Sequence, residues 1–170
     1  MSGTPVPKPP LTAAACLGAS PLFRSFPPAA IARVAETTQW IQAHKCQTLF
    51  EEGEQGIDVF LIATGRVSVQ IESISPMMEI GINRLDAGEV VGEMALLGPS
   101  TRSATVVCVA PSWVLRVPIK PLRDAMLGDS ALEAMLMRNL AAILADRLRT
   151  MNLRVMGMMR ARAYAEAHEH

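Results

Sequence analysis

The sequence predicts a mainly β domain with helices at both ends, followed by one long helix. Three observations carry this prediction. Short β-branched runs recur between Thr37 and Val117 at roughly regular spacing, with turn residues between them, as in a sandwich or barrel. Before Thr37 and after Pro118 the apolar period is helical. Half of the 170 residues are hydrophobic, enough for a sizeable core in one domain with an appendage.

The elements follow in order. Residues 1–18 are rich in Pro, Ala and Thr and read as a disordered tail, with no apolar signal segment. Ser20-Pro21-Leu22-Phe23 makes a short apolar turn. Ser25 is placed to cap a helix whose first turn takes Pro27-Pro28, and whose apolar face is Ile31, Val34 and Ala35. Trp40-Ile41 and Thr48-Leu49-Phe50 open the β region, and Val59 to Ile62 is a continuous apolar strand. Val67, Val69 and Ile71 alternate with polar residues, which marks a half-buried strand, and Met78, Ile80 and Ile82 alternate again. Gly53, Gly56 and Gly65 read as turn glycines. Thr105 to Val109 and Trp113 to Val117 are two further strands.

After Pro118 a short helix is expected over Pro121 to Leu127, stopped by Gly128. Ser130 and Glu133 have the spacing of a capping box, so a long helix starts there. Met137, Ala141, Leu144, Leu148, Met151, Val155 and Met158 recur at spacings of 4-3-4-3-4-3, a heptad seam. The seam fits a homodimer contact or packing within one chain. Arg147, Arg149, Arg154, Arg160 and Arg162 run with no acid among them and read as a solvated face, with a basic, Met-rich surface for a partner or an anionic surface as the alternative. The expected division is a tail over 1–18, a β domain with helical lead over 19–129, the long helix over 130–163 and a polar tail over 164–170.

Composition narrows the function classes. Sixteen basic and sixteen acidic side chains cancel, so bulk charge argues for neither nucleic acid nor a membrane surface. Uncharged runs are too short and too broken to span a membrane. Cys16, Cys46 and Cys108 form neither a metal spacing nor a disulfide framework, which favours a reducing, cytoplasmic setting with Cys46 and Cys108 as small core residues. There is no nucleophile–base set, metal quartet or phosphate-loop motif in the sequence, so an enzyme is the weakest class and no cofactor or metal is expected.

The stretch that carries chemistry is Gly88 to Thr105. Glu93 and Arg102 lie nine residues apart across a turn of small and apolar residues, Met94 to Leu97 and Gly98-Pro99. A guanidinium takes phosphate in a forked, charge-assisted contact. Backbone amides at a helix start favour an anion as well. A carboxylate repels phosphate, so Glu93 is useful there only as an acceptor for hydroxyls, such as a ribose 2′-OH. Phosphate with ribose means a nucleotide.

Gly92-Glu93-Met94-Ala95-Leu96-Leu97 and Arg102-Ser103-Ala104-Thr105, in this register, resemble the phosphate-binding cassette of the cyclic-nucleotide-binding domain family. Gly53 to Ile62, Gly65-Arg66-Val67 and the lead Ser20-Pro21-Leu22-Phe23 are similar to that family's turns and strands, so the resemblance spans about residues 19 to 160. It implies an eight-stranded antiparallel β-roll of jelly-roll type plus helices. It also implies ligand contacts from Gly92, Glu93, Met94, Ala95, Leu96, Arg102, Ser103 and Ala104. Glu93 would take the ribose hydroxyl, Arg102 and Ser103 the cyclic phosphate, and the amides of Ala95 and Leu96 would complete the anion site. Val91, Ile80, Ile82 and Asn152 are candidate base contacts.

The expected ligand is cyclic AMP, because bacterial regulators of this type have Ser after the Arg; cyclic GMP is the second choice. The long helix resembles the dimer helix of the catabolite-activator-like regulators. The expected protein is thus a cyclic-nucleotide sensor that relays binding to its C-terminal helices and acts on an effector protein of unknown identity. Direct DNA binding is not expected, because Tyr164 to His170 cannot make a helix-turn-helix. Two alternatives stand beside it: a scaffold of this fold that binds no nucleotide, and the sensor half of a larger regulator or channel.

Overall fold

The computed structural model describes residues 8–71, 83–99 and 101–168. Helices α1 (Ala13–Ala19) and α2 (Pro28–Ala35) flank a 3-10 turn, Pro21–Phe23. Among the described residues eight strands follow: β1 (Gln39–Ala43), β2 (Thr48–Phe50), β3 (Asp58–Thr64), β4 (Arg66–Gln70), β5 (Asn83–Asp86), β6 (Val90–Val91), β7 (Thr105–Cys108) and β8 (Ser112–Pro118). A second 3-10 turn, Glu93–Leu97, lies between β6 and β7, and α3 (Ile119–Met126) and α4 (Ser130–His168) complete the chain. The strands form two four-stranded sheets, in the orders β1-β8-β3-β6 and β2-β7-β4-β5, and every pairing is antiparallel. This is the expected eight-stranded β-roll with helices at both ends.

The unbroken apolar run in β3 has a structural cause. Phe60 and Ile62 face the roll interior, where they pack with Phe50, Val67, Leu85, Val91, Val106 and Val114. Val59 and Leu61 face the opposite way, onto α1, α2, α3 and the start of α4. A strand covered on both faces must be apolar at every position. The helical core is tied to β3 and β8 by Leu17, Leu22, Phe23, Val34, Leu122, Leu136 and Leu140, all buried.

Several expectations are corrected. The expected tail over 1–18 is helical from Ala13, because Thr12 accepts a cap bond from the Ala15 amide at 3.2 Å and Cys16 and Leu17 bury apolar surface in the core. Cys46 is exposed, in a left-handed turn at φ 68°, so Cys16 and Cys108 are the buried thiols. Burial pushes the Cys16 thiol up to about 11. Ser25 does not cap α2. It turns the chain at φ 66°, and Pro27 precedes the first helical residue. The cap of α4 is Asp129, whose carboxylate accepts from the Leu132 amide at 3.1 Å, in place of the Ser130–Glu133 box.

Helix α3 begins two residues earlier than expected, at Ile119, and α4 continues to His168 through the expected polar tail. Gly53 and Gly65 adopt positive φ, 85° and 90°, whereas Gly56 is not among the positive-φ glycines. A Cβ at Gly65 would meet the Ser112 Oγ at 2.2 Å, so that turn needs glycine on both counts. The strand expected around Met78, Ile80 and Ile82 lies outside the described residues.

Candidate functional site

The cassette is built on β6. Val90 and Val91 pair with Leu61 and Phe60 of β3, which fixes the end of the strand against the roll. Gly92 then turns the chain at φ 74°, and the 3-10 turn Glu93–Leu97 begins. Glycine is required at position 92 for space as well. A Cβ there would lie 2.5 Å from the Arg102 Nη1 and 3.2 Å from the Asp58 carbonyl. Sequence and geometry agree that Gly92-Glu93 is a turn around a guanidinium.

Arg102 approaches from the other side of the turn. Its backbone is clamped to the loop between β2 and β3: its amide donates to the Glu54 carbonyl at 2.7 Å, and its carbonyl accepts from Gly53 at 2.9 Å. Its side chain packs over two aromatic rings of the roll interior. The guanidinium carbon lies 4.1 Å from the Phe50 ring centre and 5.7 Å from that of Phe60. Nη1 donates to the Gly92 carbonyl at 3.3 Å. Nε is buried without a hydrogen-bond partner, and Arg102 makes no ion pair among the described residues. Burial lowers the pKa of this arginine from its ordinary value, and the fields of Asp58, Glu54 and Glu93 only partly offset that. The roll thus carries a desolvated cation on an aromatic stack with no counter-ion in contact.

Glu93 is also buried, but it is paired. Arg147 of α4 donates from Nη1 to the Glu93 Oε1 at 2.5 Å, and its Nη2 donates to the Val90 carbonyl. A second arginine, Arg123 of α3, donates to the Leu96 carbonyl at 3.0 Å. Both C-terminal helices therefore clasp the cassette, one at each end of the 3-10 turn. Asp58, next to the turn, pairs with Arg116 at 2.8 Å instead of with Arg102.

The expected contacts are thus brought together in part. Gly92, Glu93 and Arg102 converge, with Ala95, Leu96 and Ala104 buried around them. Met94 and Ser103 are exposed neighbours, with Ser103 Oγ 3.6 Å from the Met94 Sδ. The Ala95 amide donates to the Gly92 carbonyl at 3.3 Å, so that donor is engaged within the turn. Val91 lies in the roll interior beside Phe50 and Phe60, consistent with an apolar wall. Asn152 is exposed on α4, beyond Arg147, and is not gathered to the site. Ile80 and Ile82 lie outside the described residues.

Four contributors are not expected from the sequence: Phe50, Phe60, Arg123 and Arg147. Phe50 and Phe60 read only as strand apolars. Arg147, expected on a solvated face, instead reaches the cassette and pairs with Glu93. The signal was present: Leu136, Leu140, Ile143 and Arg147 recur at spacings of 4-3-4, a second stripe beside the heptad seam. Its first members pack on the core, so the next one must face the roll. No helix among the described residues is long and apolar enough to cross a membrane.

Comparison with known proteins agrees with this geometry. The sequence profile of the family described as cyclic nucleotide-binding domain matches residues 40–129, more than half of the chain. The cyclic AMP receptor protein of Thermus thermophilus is 30% identical over 134 residues, which cover 79% of this chain and 60% of that protein. An uncharacterized protein of Mycobacterium tuberculosis is 34% identical over 92 residues, 54% of this chain and 17% of its own length. The chain thus matches only part of each relative. A cyclic nucleotide-binding domain from Methylobacillus flagellatus superposes with a TM-score of 0.73 at 23% identity, over 86% of this chain and 82% of that one, which supports the fold. The eight-stranded roll, the Gly92-Glu93 turn around Arg102 and the profile match establish that this chain belongs to the cyclic nucleotide-binding domain family of regulatory modules.

Proposed function

We propose that this chain senses cyclic AMP and relays binding to α3 and α4. The observation that carries the reading is Arg102, a buried guanidinium with an unpartnered Nε and no ion pair among the described residues. Removing one partner of a buried charge pair is costly, so a folded cation in this state gains from an anion that reaches it. A cyclic phosphate seated beside the Gly92 turn supplies that anion, and the exposed Ser103 hydroxyl adds a donor next to it. The flanking Phe50 and Phe60 hold the guanidinium plane and exclude water, which strengthens the contact.

Glu93 supplies the acceptor for the ribose hydroxyl. Its Oε1 is held by Arg147, and in this reading the ribose hydroxyl displaces that contact, so ligand and α4 compete for one carboxylate. That competition is the relay. Ligand on Glu93 weakens the clasp from Arg147, and α4 repacks; the shift is limited to the ligand's differential affinity for the two placements. Val91 lines the base side, and Asn152 contributes only when α4 closes over the roll. The name of the Thermus thermophilus relative favours cyclic AMP over cyclic GMP, a choice that Ser103 alone leaves open. The free thiols of Cys16, Cys46 and Cys108 fit a reducing compartment, so we place the protein in the cytoplasm.

A thermal-shift panel tests the reading. At a hundred times its Kd, cyclic AMP adds ~2.7 kcal/mol, or roughly 5–10 °C in Tm for a domain of this size. Cyclic GMP gives a smaller shift, and 5′-AMP and cyclic dinucleotides give none. No shift with either cyclic mononucleotide would favour the scaffold alternative.

A further inference from the structure

Beyond Arg147, helix α4 leaves the roll, and its described side chains are exposed as far as Arg160. Three stripes can be distinguished on it. The core stripe, Leu136, Leu140, Ile143 and Arg147, faces the roll. The heptad seam, Leu144, Leu148, Met151, Val155 and Met158, runs beside it. The third stripe is Arg149, Leu153, Met156 and Arg160, at spacings of 4-3-4. At 3.6 residues per turn it lies about 150° around the helix from the seam and about 140° from the core stripe. If two copies meet at the seam, this stripe still points outward, at the positions that a two-stranded coil normally makes polar. Yet Leu153 is 75% exposed and Met156 53% exposed.

We infer that this third stripe is a docking face for an acidic amphipathic helix of a partner protein. The charge pattern selects the partner. No Asp or Glu occurs between Asp146 and Glu166, and neither Arg149 nor Arg160 makes an ion pair among the described residues. Arg149 and Arg160 bracket the apolar pair and lie about 16 Å apart along the axis, at 1.5 Å per residue. A partner helix with two carboxylates about eleven residues apart and Leu or Met between them matches both ends and the centre at once. A membrane is the poorer fit. A surface-bound helix segregates its apolar and basic residues onto opposite sides, whereas here the apolar residues lie in the seam as well as between these arginines.

The inference does not depend on the nucleotide reading, since the face lies outside the cassette. The probe is a fluorescein-labelled 20-residue helical peptide with Glu at two positions eleven apart and Leu at the two between. A second peptide carries Lys in place of both Glu residues. Fluorescence anisotropy with the full chain is expected to give micromolar binding for the Glu peptide and at least tenfold weaker binding for the Lys peptide. The R149E/R160E variant is expected to reverse that order, and Leu153→Glu to abolish both. Leu148→Asp, in the seam, is expected to leave Glu-peptide binding unchanged. Circular dichroism checks that each variant keeps its helix. No binding of the Glu peptide, equal binding of the two peptides, or no reversal in R149E/R160E would overturn the inference. So would loss of binding with Leu148→Asp, which would assign the peptide to the seam. Stronger binding of the chain to 3:1 phosphatidylcholine–phosphatidylglycerol vesicles than to the Glu peptide would assign the face to a membrane.

Discussion

At the scale of single residues, Arg102 sets function against stability. A desolvated guanidinium without a counter-ion costs the ligand-free fold, and replacing buried charge with an apolar side chain of similar volume is often stabilising. Methionine at this position keeps a favourable contact with Phe50 and Phe60. Arg102→Met is therefore expected to raise the Tm of the ligand-free protein, by ~1–2 kcal/mol of added stability, on the scale of buried-charge replacements. Differential scanning calorimetry checks this; a lower Tm would mean that the cation stabilises the fold through its rings. The acid and base of the cassette were legible in the sequence because the chain places them in one loop. The aromatic stack was not. Phe50 and Phe60 lie on different strands, and a hydrophobic period says that they are buried but not what they bury against.

At the scale of elements, the Glu93–Arg147 pair joins the cassette to α4. Removing the cation leaves a buried carboxylate uncompensated, which destabilises the ligand-free state. The same change frees Glu93 for a ribose hydroxyl. Arg147→Met is thus expected to lower Tm and to raise affinity for cyclic AMP about tenfold, a gain of ~1.4 kcal/mol. Calorimetric titration and thermal melts, read together, check the opposed signs. Lower affinity alongside lower Tm would mean that Arg147 supports the bound state. Element types were legible wherever an apolar run or period was clear, as in β3, β8 and α4. Their ends were less so. The start of α4 depends on which of Asp129 and Ser130 takes the cap, and both are good caps by residue type. The helix at Ala13–Ala19 was missed because its periodicity is weak, with Cys16 and Leu17 carrying the burial.

At the scale of the whole molecule, the roll was legible because turn residues and alternating strands recur along the chain and the cassette fixes the family. The assembly is a different matter, since a heptad seam has the same pattern in a core and in a dimer. In this fold the seam is open: Leu148 and Met151 are 60% and 58% exposed. We propose that two copies pair in parallel along Met137 to Met158. Sedimentation equilibrium is expected to show a dimer that Leu148→Asp dissociates, and a wild-type monomer at high concentration with ligand present would discard it. The central claim, however, rests on one cation. Isothermal titration of cyclic AMP into the wild type and into Arg102→Met tests it most directly. The account predicts saturable binding to the wild type and affinity at least a hundredfold weaker, a loss of ~2.7 kcal/mol, in the folded variant; equal affinity in the two proteins would contradict it.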